Sequence, residues 1–198
     1  SLHDALPICE HLVFREFIFD QTSDAALTMQ DSAHNRVTQC QFFYCGSVRS
    51  TFSHTFRVQP GADFSRIDHC YFTGMKSMSI GVRVPRDNPD TVAKSPHIAY
   101  NVFRDISRIW VNGQENIQIG QGIPWASAPK ALLECNLFHQ ADGDGEIFSF
   151  KSQENIARYN VAAHCRISAF TFRGGQGNRF EGNIVVGCGD GLRIFDDN

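Results

Sequence analysis

The stretch "ECNLFHQ" (Glu134–Gln140) returns in kind as "RYNVAAH" (Arg158–His164) and "EGNIVVG" (Glu181–Gly187), and its reading decides the fold. Each copy carries a small residue or Asn, one variable residue, then an apolar one. The same pattern stands earlier in "TQCQFFYCG", "DHCYFTG" and "AYNVFRD". The anchors are Cys40, Cys70, Asn101, Asn136, Asn160 and Asn183, at intervals of 30, 31, 35, 24 and 23 residues. Self-similarity in the low twenties, with occasional excess, is what stacked coils with loop insertions produce.

The segments between anchors are short and rich in Phe, Val and Ile, often alternate in polarity ("SRIDHCYF", "ENIQIG", "EIFSF", "SAFTF", "LRIF"), and end in Gly, Asn or Asp. They read as strands, and no stretch sustains a helical stripe. Strands that stack on their own equivalents one coil later pair in parallel. The expected fold is therefore all-β, a right-handed parallel β-helix of roughly eight coils. Asn101, Asn136, Asn160 and Asn183 are expected to form a structural ladder at one turn, because Asn tolerates left-handed turns and bonds backbone in tight corners. Residues 9–198 read as a single domain. The opening "SLHDALPI" (1–8) shares nothing with the repeat and reads as a scar or truncation boundary. At the other end "GLRIFDDN" stops inside a strand pattern, so a fragment lacking C-terminal coils is expected.

The 198 residues, 42% hydrophobic and 20% charged, have globular composition. A formal charge of -3 offers no basic footprint for nucleic acid. No apolar run approaches the roughly 20 residues that span a bilayer, so no membrane partner is expected either. Nothing in the sequence specifies an oligomeric state. Seven cysteines include no Cys-x-x-Cys pair. Cys40, Cys70 and Cys135 are read as equivalent points of the repeat, packed as small apolar groups.

A polar cluster interrupts this regularity at "DGDGEIFSFKS" (Asp142–Ser152). It is not a helix-loop-helix calcium loop, since Ile147 and Gln153 occupy the places of the required Gly and bidentate Glu. By parity Asp144 and Glu146 project outward together, whereas Lys151 joins that face only if the strand breaks or bulges near Phe150. In "AFTFRGG", Phe170 and Phe172 face the core and Arg173 faces out. Lys151 and Arg173 are 22 residues apart, about one coil. Asn112 lies 32 residues before Asp144, also one coil if "GQGIPWASAPK" is a loop excursion. By spacing alone these residues are equally a solvated stripe of cancelling charges.

"NGQENIQIG", "NLFHQADGDGEIFSFKSQEN", "FRGG" and "GLRIFDD" together resemble successive motifs of polysaccharide lyase family 6, which contains alginate lyases and chondroitinase B. The resemblance covers the chain from about Cys9 and is most specific from Asn112 to Arg193. It implies a parallel β-helix that cleaves a uronic-acid polysaccharide by β-elimination, with Ca²⁺ as cofactor and a secreted or periplasmic location. Carried across by motif, the calcium ligands fall on Asn112, Asp144 and Glu146, the base on Lys151 and the acid on Arg173. Arg193, Glu115 and Gln118 fall on substrate-binding positions. The chain departs from the family pattern in three places. Asp144 stands where Glu is usual, Arg173-Gly174-Gly175 replaces Arg-His-Gly, and Gln118 replaces an arginine.

Two other functions fit the same cluster. A β-helical glycoside hydrolase would use paired carboxylates but leaves Lys151 and Arg173 without a task. A non-catalytic carbohydrate-binding β-helix would hold sugar on the outward stripe without cleaving it.

Overall fold

The computed structural model describes residues 9–50, 53–85, 87–121, 126–167 and 169–195. The opening segment 1–8, part of the excursion after Gly120 and the last three residues of "GLRIFDDN" lie outside the described residues. Three parallel sheets of seven strands each run the length of the chain. Each coil contributes one strand to every sheet. A 3-10 turn at Pro89–Thr91 is the one helical element among the described residues. This is the parallel β-helix expected from the repeat, and the described residues form seven coils where roughly eight were expected. Insertions account for the difference, since successive first-sheet strands stack Val13, Arg36, Arg66, His97, Leu132, Ile156 and Arg179 in register at intervals of 23 to 35 residues.

Three corners close each coil, and each is made by a residue with positive φ. One column runs through Gln39, His69, Tyr100, Cys135 and Tyr159, with φ between 54° and 56°. Two more run through His34, Phe64, Lys130 and Glu154, and through Tyr44, Asp105, Gln140 and His164. The corner turns the backbone N–H onto a carbonyl of the next coil, as from Tyr100 to Glu134 (3.1 Å), Cys135 to Arg158 (3.2 Å) and Tyr159 to Glu181 (3.0 Å).

The Asn ladder is present, but the left-handed residue is the one before each Asn. Asn136 itself is extended into the stack. Its Oδ1 accepts from the backbone N–H and Nδ2 of Asn101 (both 3.0 Å), and its Nδ2 donates to the Ile98 carbonyl (3.0 Å) and Asn160 Oδ1 (2.9 Å). Asn160 repeats this with Asn183. Cys135 therefore does not stand with Cys40 and Cys70. It is one residue earlier, at a part-exposed corner, while Cys40 and Cys70 are buried. All seven cysteines are free.

Strand spacing of about 4.8 Å is also the contact distance of stacked rings, so like residues on successive coils pack face to face. Phe19, Phe42, Phe72, Phe103 and Phe138 form such a column, with centroids 4.6–4.9 Å apart. Ala162 ends it, and Phe148, Phe170 and Phe180 from other faces fill the core there.

Asn136→Ala removes four hydrogen bonds and strands the buried Asn101 N–H. With about 1–3 kcal/mol for a buried group left unpaired, a loss of about 2 kcal/mol is expected. Urea unfolding of the two proteins measures it, and Asn183→Ala, at a part-buried position with a shorter bond list, should cost less.

Candidate active site

The third sheet contains the strands Leu27–Met29, His54–Val58, Met78–Val82, Ile117–Gly120, Glu146–Lys151, Ala169–Gly174 and Leu192–Ile194. Its inward rows are apolar, among them Phe56, Ile80, Ile117, Phe148 and Phe170. Between two inward rows lies an outward one in register: Thr28, Arg57, Gly81, Gln118, Ser149, Thr171 and Arg193. Alternation along a strand fixes this arrangement.

Two irregularities build the polar cluster at the ends of this row. Pairing passes from Glu146↔Ala169 to Phe148↔Phe170, so Ile147 is an extra residue, buried in the core. Pairing then passes from Phe150↔Phe172 to Lys151↔Gly174, so Arg173 is extra on the neighbouring strand. The bulge at Ile147 resolves the parity conflict between Glu146 and Lys151, and the irregularity expected near Phe150 is also present, between Phe150 and Lys151, with its extra residue on the neighbouring strand. The second bulge displaces Arg173 back toward Glu146.

The side chains then meet. Arg173 Nη1 donates to Glu146 Oε1 (3.0 Å), and Lys151 Nζ lies 3.7 Å from Glu146 Oε2. Lys151 Nζ donates to Glu115 Oε1 at 2.8 Å, and Gln118 Nε2 donates to the same oxygen at 3.0 Å. Glu115 and Gln118 are 1% and 5% exposed, so two of the three expected substrate-binding positions face Lys151 instead of the surface. Burial raises the Glu146 carboxyl above its ordinary range, and neighbouring Glu115 and Asp144 add to the rise, outweighing Lys151 and Arg173. For Glu115 burial acts in the same upward direction, but the Lys151 ammonium and the Gln118 amide outweigh it and hold the carboxyl low.

Asp144 is buried, and its Oδ2 accepts from the backbone N–H groups of Gly113 (2.6 Å) and Gln114 (3.1 Å). The segment carrying Asn112 therefore does lie against the acidic loop one coil on. Asn112 itself is exposed in the bend before Gly113. Arg193 donates through Nη2 to the Gly145 carbonyl and to Thr171 Oγ1, and its guanidinium lies 5.9 Å from the Phe195 ring centroid. It braces the acidic loop from the far side.

The donor set is all oxygen, and one oxygen each of Glu115 and Glu146 is buried without a hydrogen-bond partner. Such an orphan fits a hard cation. Among the described residues no three His, Cys, Asp or Glu side chains converge in the manner of a metal cluster, so a cation here would share its ligation with Asn112 and with substrate oxygens.

Two buried residues of this face were not singled out from sequence. Gln114 Oε1 accepts from the N–H of Ile109 and Trp110, and its Nε2 donates to the carbonyls of Met75 and Ser107, which clamps the bend leading to Asn112. Its position inside "NGQEN" was the available signal. His54 lies with its ring where a Cβ on Gly81 would sit, 1.8 Å from that place, so only glycine fits at 81. Nothing in the repeat marks His54.

The fold and this outward cluster define a β-helical protein whose polar line crosses successive coils of one sheet. The chain matches the family described as Chondroitinase B over residues 15–194 and belongs to it. Among solved structures it resembles a mannuronic acid specific polysaccharide family 6 lyase from human gut microbiota, with a TM-score of 0.82 at 23% identity. That match covers 94% of this chain and 45% of the other. It also resembles the PL6 family alginate lyase AlyGC (TM-score 0.63, 20% identity, 90% and 31% covered). A third likeness is to the PL6 family polysaccharide lyase Pedsa3628 from Pseudopedobacter saltans (TM-score 0.61, 19% identity, 93% and 55% covered). These likenesses carry the fold, and the chain spans about half or less of the structures it matches. No curated protein sequence matches it significantly.

Burial pushes the His54 imidazole down to about 4, with the Arg83 guanidinium adding to the fall. The unfolded chain takes up this proton near pH 6.5 and the folded chain only near 4, so stability should fall as pH drops through that window. The loss expected is about 3 kcal/mol, complete below pH 4. Urea midpoints measured from pH 7 to pH 4 for the wild type and His54→Leu check this, and the variant should lack that part of the decline.

Proposed function

We propose that this chain carries the reacting centre of a polysaccharide lyase that cleaves a uronic-acid polysaccharide by β-elimination. The observation that supports it best is the convergence of Lys151, Glu146 and Arg173 on one outward face through two bulges. An amine and a guanidinium beside an otherwise acidic pocket suit a substrate that is itself a carboxylate.

Elimination removes the C5 proton of a uronate, forms the C4–C5 double bond and breaks the bond from C4 to the glycosidic oxygen. Lys151, whose ammonium pairs with Glu115 at rest, must first give up a proton, and as the neutral amine it accepts the C5 proton at Nζ. Arg173 stands beside it with one Nη on Glu146, leaving other N–H groups to face the charge that develops on the uronate carboxylate. Guanidinium gives up protons reluctantly, so a water protonates the departing oxygen while Arg173 orients it. Glu146 fixes Arg173, and Arg193 with the Gly113 and Gln114 amides holds the acidic loop still.

Ca²⁺ fits the oxygen donors, and Asn112, Asp144 and Glu146 are the residues that would hold it. When bound it would supply positive charge that offsets the uronate carboxylate and makes the C5 proton easier to remove. Alginate and dermatan or chondroitin sulfate are the substrate types the family relation supports, and because such polymers occur outside cells they favour a secreted or periplasmic location. No helix among the described residues is long and apolar enough to cross a membrane.

A panel of uronans assayed for ultraviolet-absorbing unsaturated ends, with and without calcium, tests this directly. Unsaturated ends are expected. Saturated reducing ends alone would indicate a hydrolase, and binding without new ends a carbohydrate-binding β-helix. Lys151→Ala should lower kcat by at least about 100-fold, and Lys151→Arg nearly as much because guanidinium does not accept a proton. Glu146→Gln should weaken calcium affinity, read by titration calorimetry, with the fold retained by circular dichroism.

A further inference from the structure

Glu115 is a carboxylate buried beneath the reacting face, 1% exposed, and the chemistry proposed above gives it no step. It carries the same charge as a uronate and offers no oxygen at the surface, so direct contact with substrate is excluded on both electrostatic and geometric grounds. Nor does net stability account for it. A buried ion pair replaced by apolar residues of like volume is commonly neutral or stabilising.

Its geometry is specific. Glu115 Oε1 receives Lys151 Nζ at 2.8 Å and Gln118 Nε2 at 3.0 Å. Gln118 occupies the outward row between Gly81 and Ser149, and the ring of His54 fills the place beside it that Gly81 leaves empty. Gln118 is thereby walled in and can present its amide in few ways. Glu115 is held by Gln118, and Lys151 is held by Glu115. A lysine has a long flexible stem, and its amine would otherwise sample many positions. The next carboxylate, Glu146, is farther at 3.7 Å and is engaged by Arg173.

We propose that Glu115 is a positioning residue, which together with Gln118 fixes the Nζ of Lys151 at the height of the outward face. This rests on the reading of Lys151 as the base. Displacing a reacting group by about 1 Å can cost about 100-fold in rate, so the residue that fixes Nζ governs kcat rather than substrate affinity. The acceptor oxygen performs this role. Glutamine at 115 retains an oxygen for Lys151, whereas leucine at 115 retains only the volume.

The test compares wild type, Glu115→Gln and Glu115→Leu on whichever uronan gives unsaturated ends. It also follows acetylation of Lys151 by acetic anhydride, relative to Lys76 and read by peptide mass, which does not depend on turnover. Glu115→Leu is expected to lower kcat about 100-fold with KM within about twofold, and to raise Lys151 acetylation by about fivefold or more. Glu115→Gln should recover most of both. If Glu115→Leu leaves kcat and acetylation at wild-type values, or Glu115→Gln is as damaged as Glu115→Leu in both, the positioning role is overturned. If wild-type protein yields no unsaturated ends from any uronan, the lyase reading fails, while the acetylation series still decides whether Glu115 holds Lys151.

Discussion

Everything in this molecule depends on the return of each coil into register with the one before. A coil closes only if the chain turns sharply at three corners, and each corner requires a left-handed residue. For side chains such as Tyr100, Cys135 or His164 that conformation costs about 1–2 kcal/mol. The turn is what aims the corner N–H at the next coil's carbonyl, a bond worth about 1 kcal/mol net. The two nearly cancel at one corner, so no corner is stable alone. Repetition decides the matter, because a coil in register also completes parallel ladders, a Phe stack and the Asn ladder at once.

Register has a functional consequence. Once strands stack residue on residue, any outward position becomes a row crossing the coils, and residues 22 to 37 apart in sequence become neighbours. Chemistry that needs groups between rows then requires a departure from register. Two departures occur in the pair of strands Glu146–Lys151 and Ala169–Gly174, and at no other pairing among the described residues is a register shift found. Ile147 sinks into the core, which returns Glu146 and Lys151 to one face. Arg173 rises out of the ladder and meets Glu146. Regularity elsewhere supplies the rigidity that holds these side chains, and the local irregularity supplies their convergence.

Much of this was legible in the sequence. The repeat gave the parallel β-helix, the Asn ladder and the outward face of Arg173, and the coil-length interval from Asn112 to Asp144 agrees with the bonds from Gly113 and Gln114. Other features were hidden for physical reasons. The corner residues are Tyr, Cys, His and Glu where local preference would favour Gly or Asn, because the next coil's carbonyl, not intrinsic preference, sets φ. The bulge falls on Ile147, an ordinary strand former with no Gly or Pro to mark it. The described residues form seven coils where roughly eight were expected, because a long interval such as the 35 residues from His97 to Leu132 lengthens a coil without adding one. Glu115 was expected at a substrate-binding position, and its burial was hidden because its partner, Lys151, is 36 residues away.

The formal charges of the stripe cancel in a count, but the fold divides them unequally. Glu115 and Glu146 both face Lys151, and their carboxyls move in opposite directions, Glu115 down and Glu146 up. Distance explains the division: at 2.8 Å Glu115 takes the ammonium and a second donor from Gln118, while Glu146 has Lys151 only at 3.7 Å and one arm of Arg173. Each carboxylate keeps one buried oxygen without a hydrogen bond, but only at Glu146 does burial outweigh the neighbouring cations and raise the carboxyl. A further positive charge arriving on this face would be best accommodated there, next to Asp144 and away from Glu115. Lys151 is held by one carboxylate, and the other, beside Asp144, keeps its charge with less support.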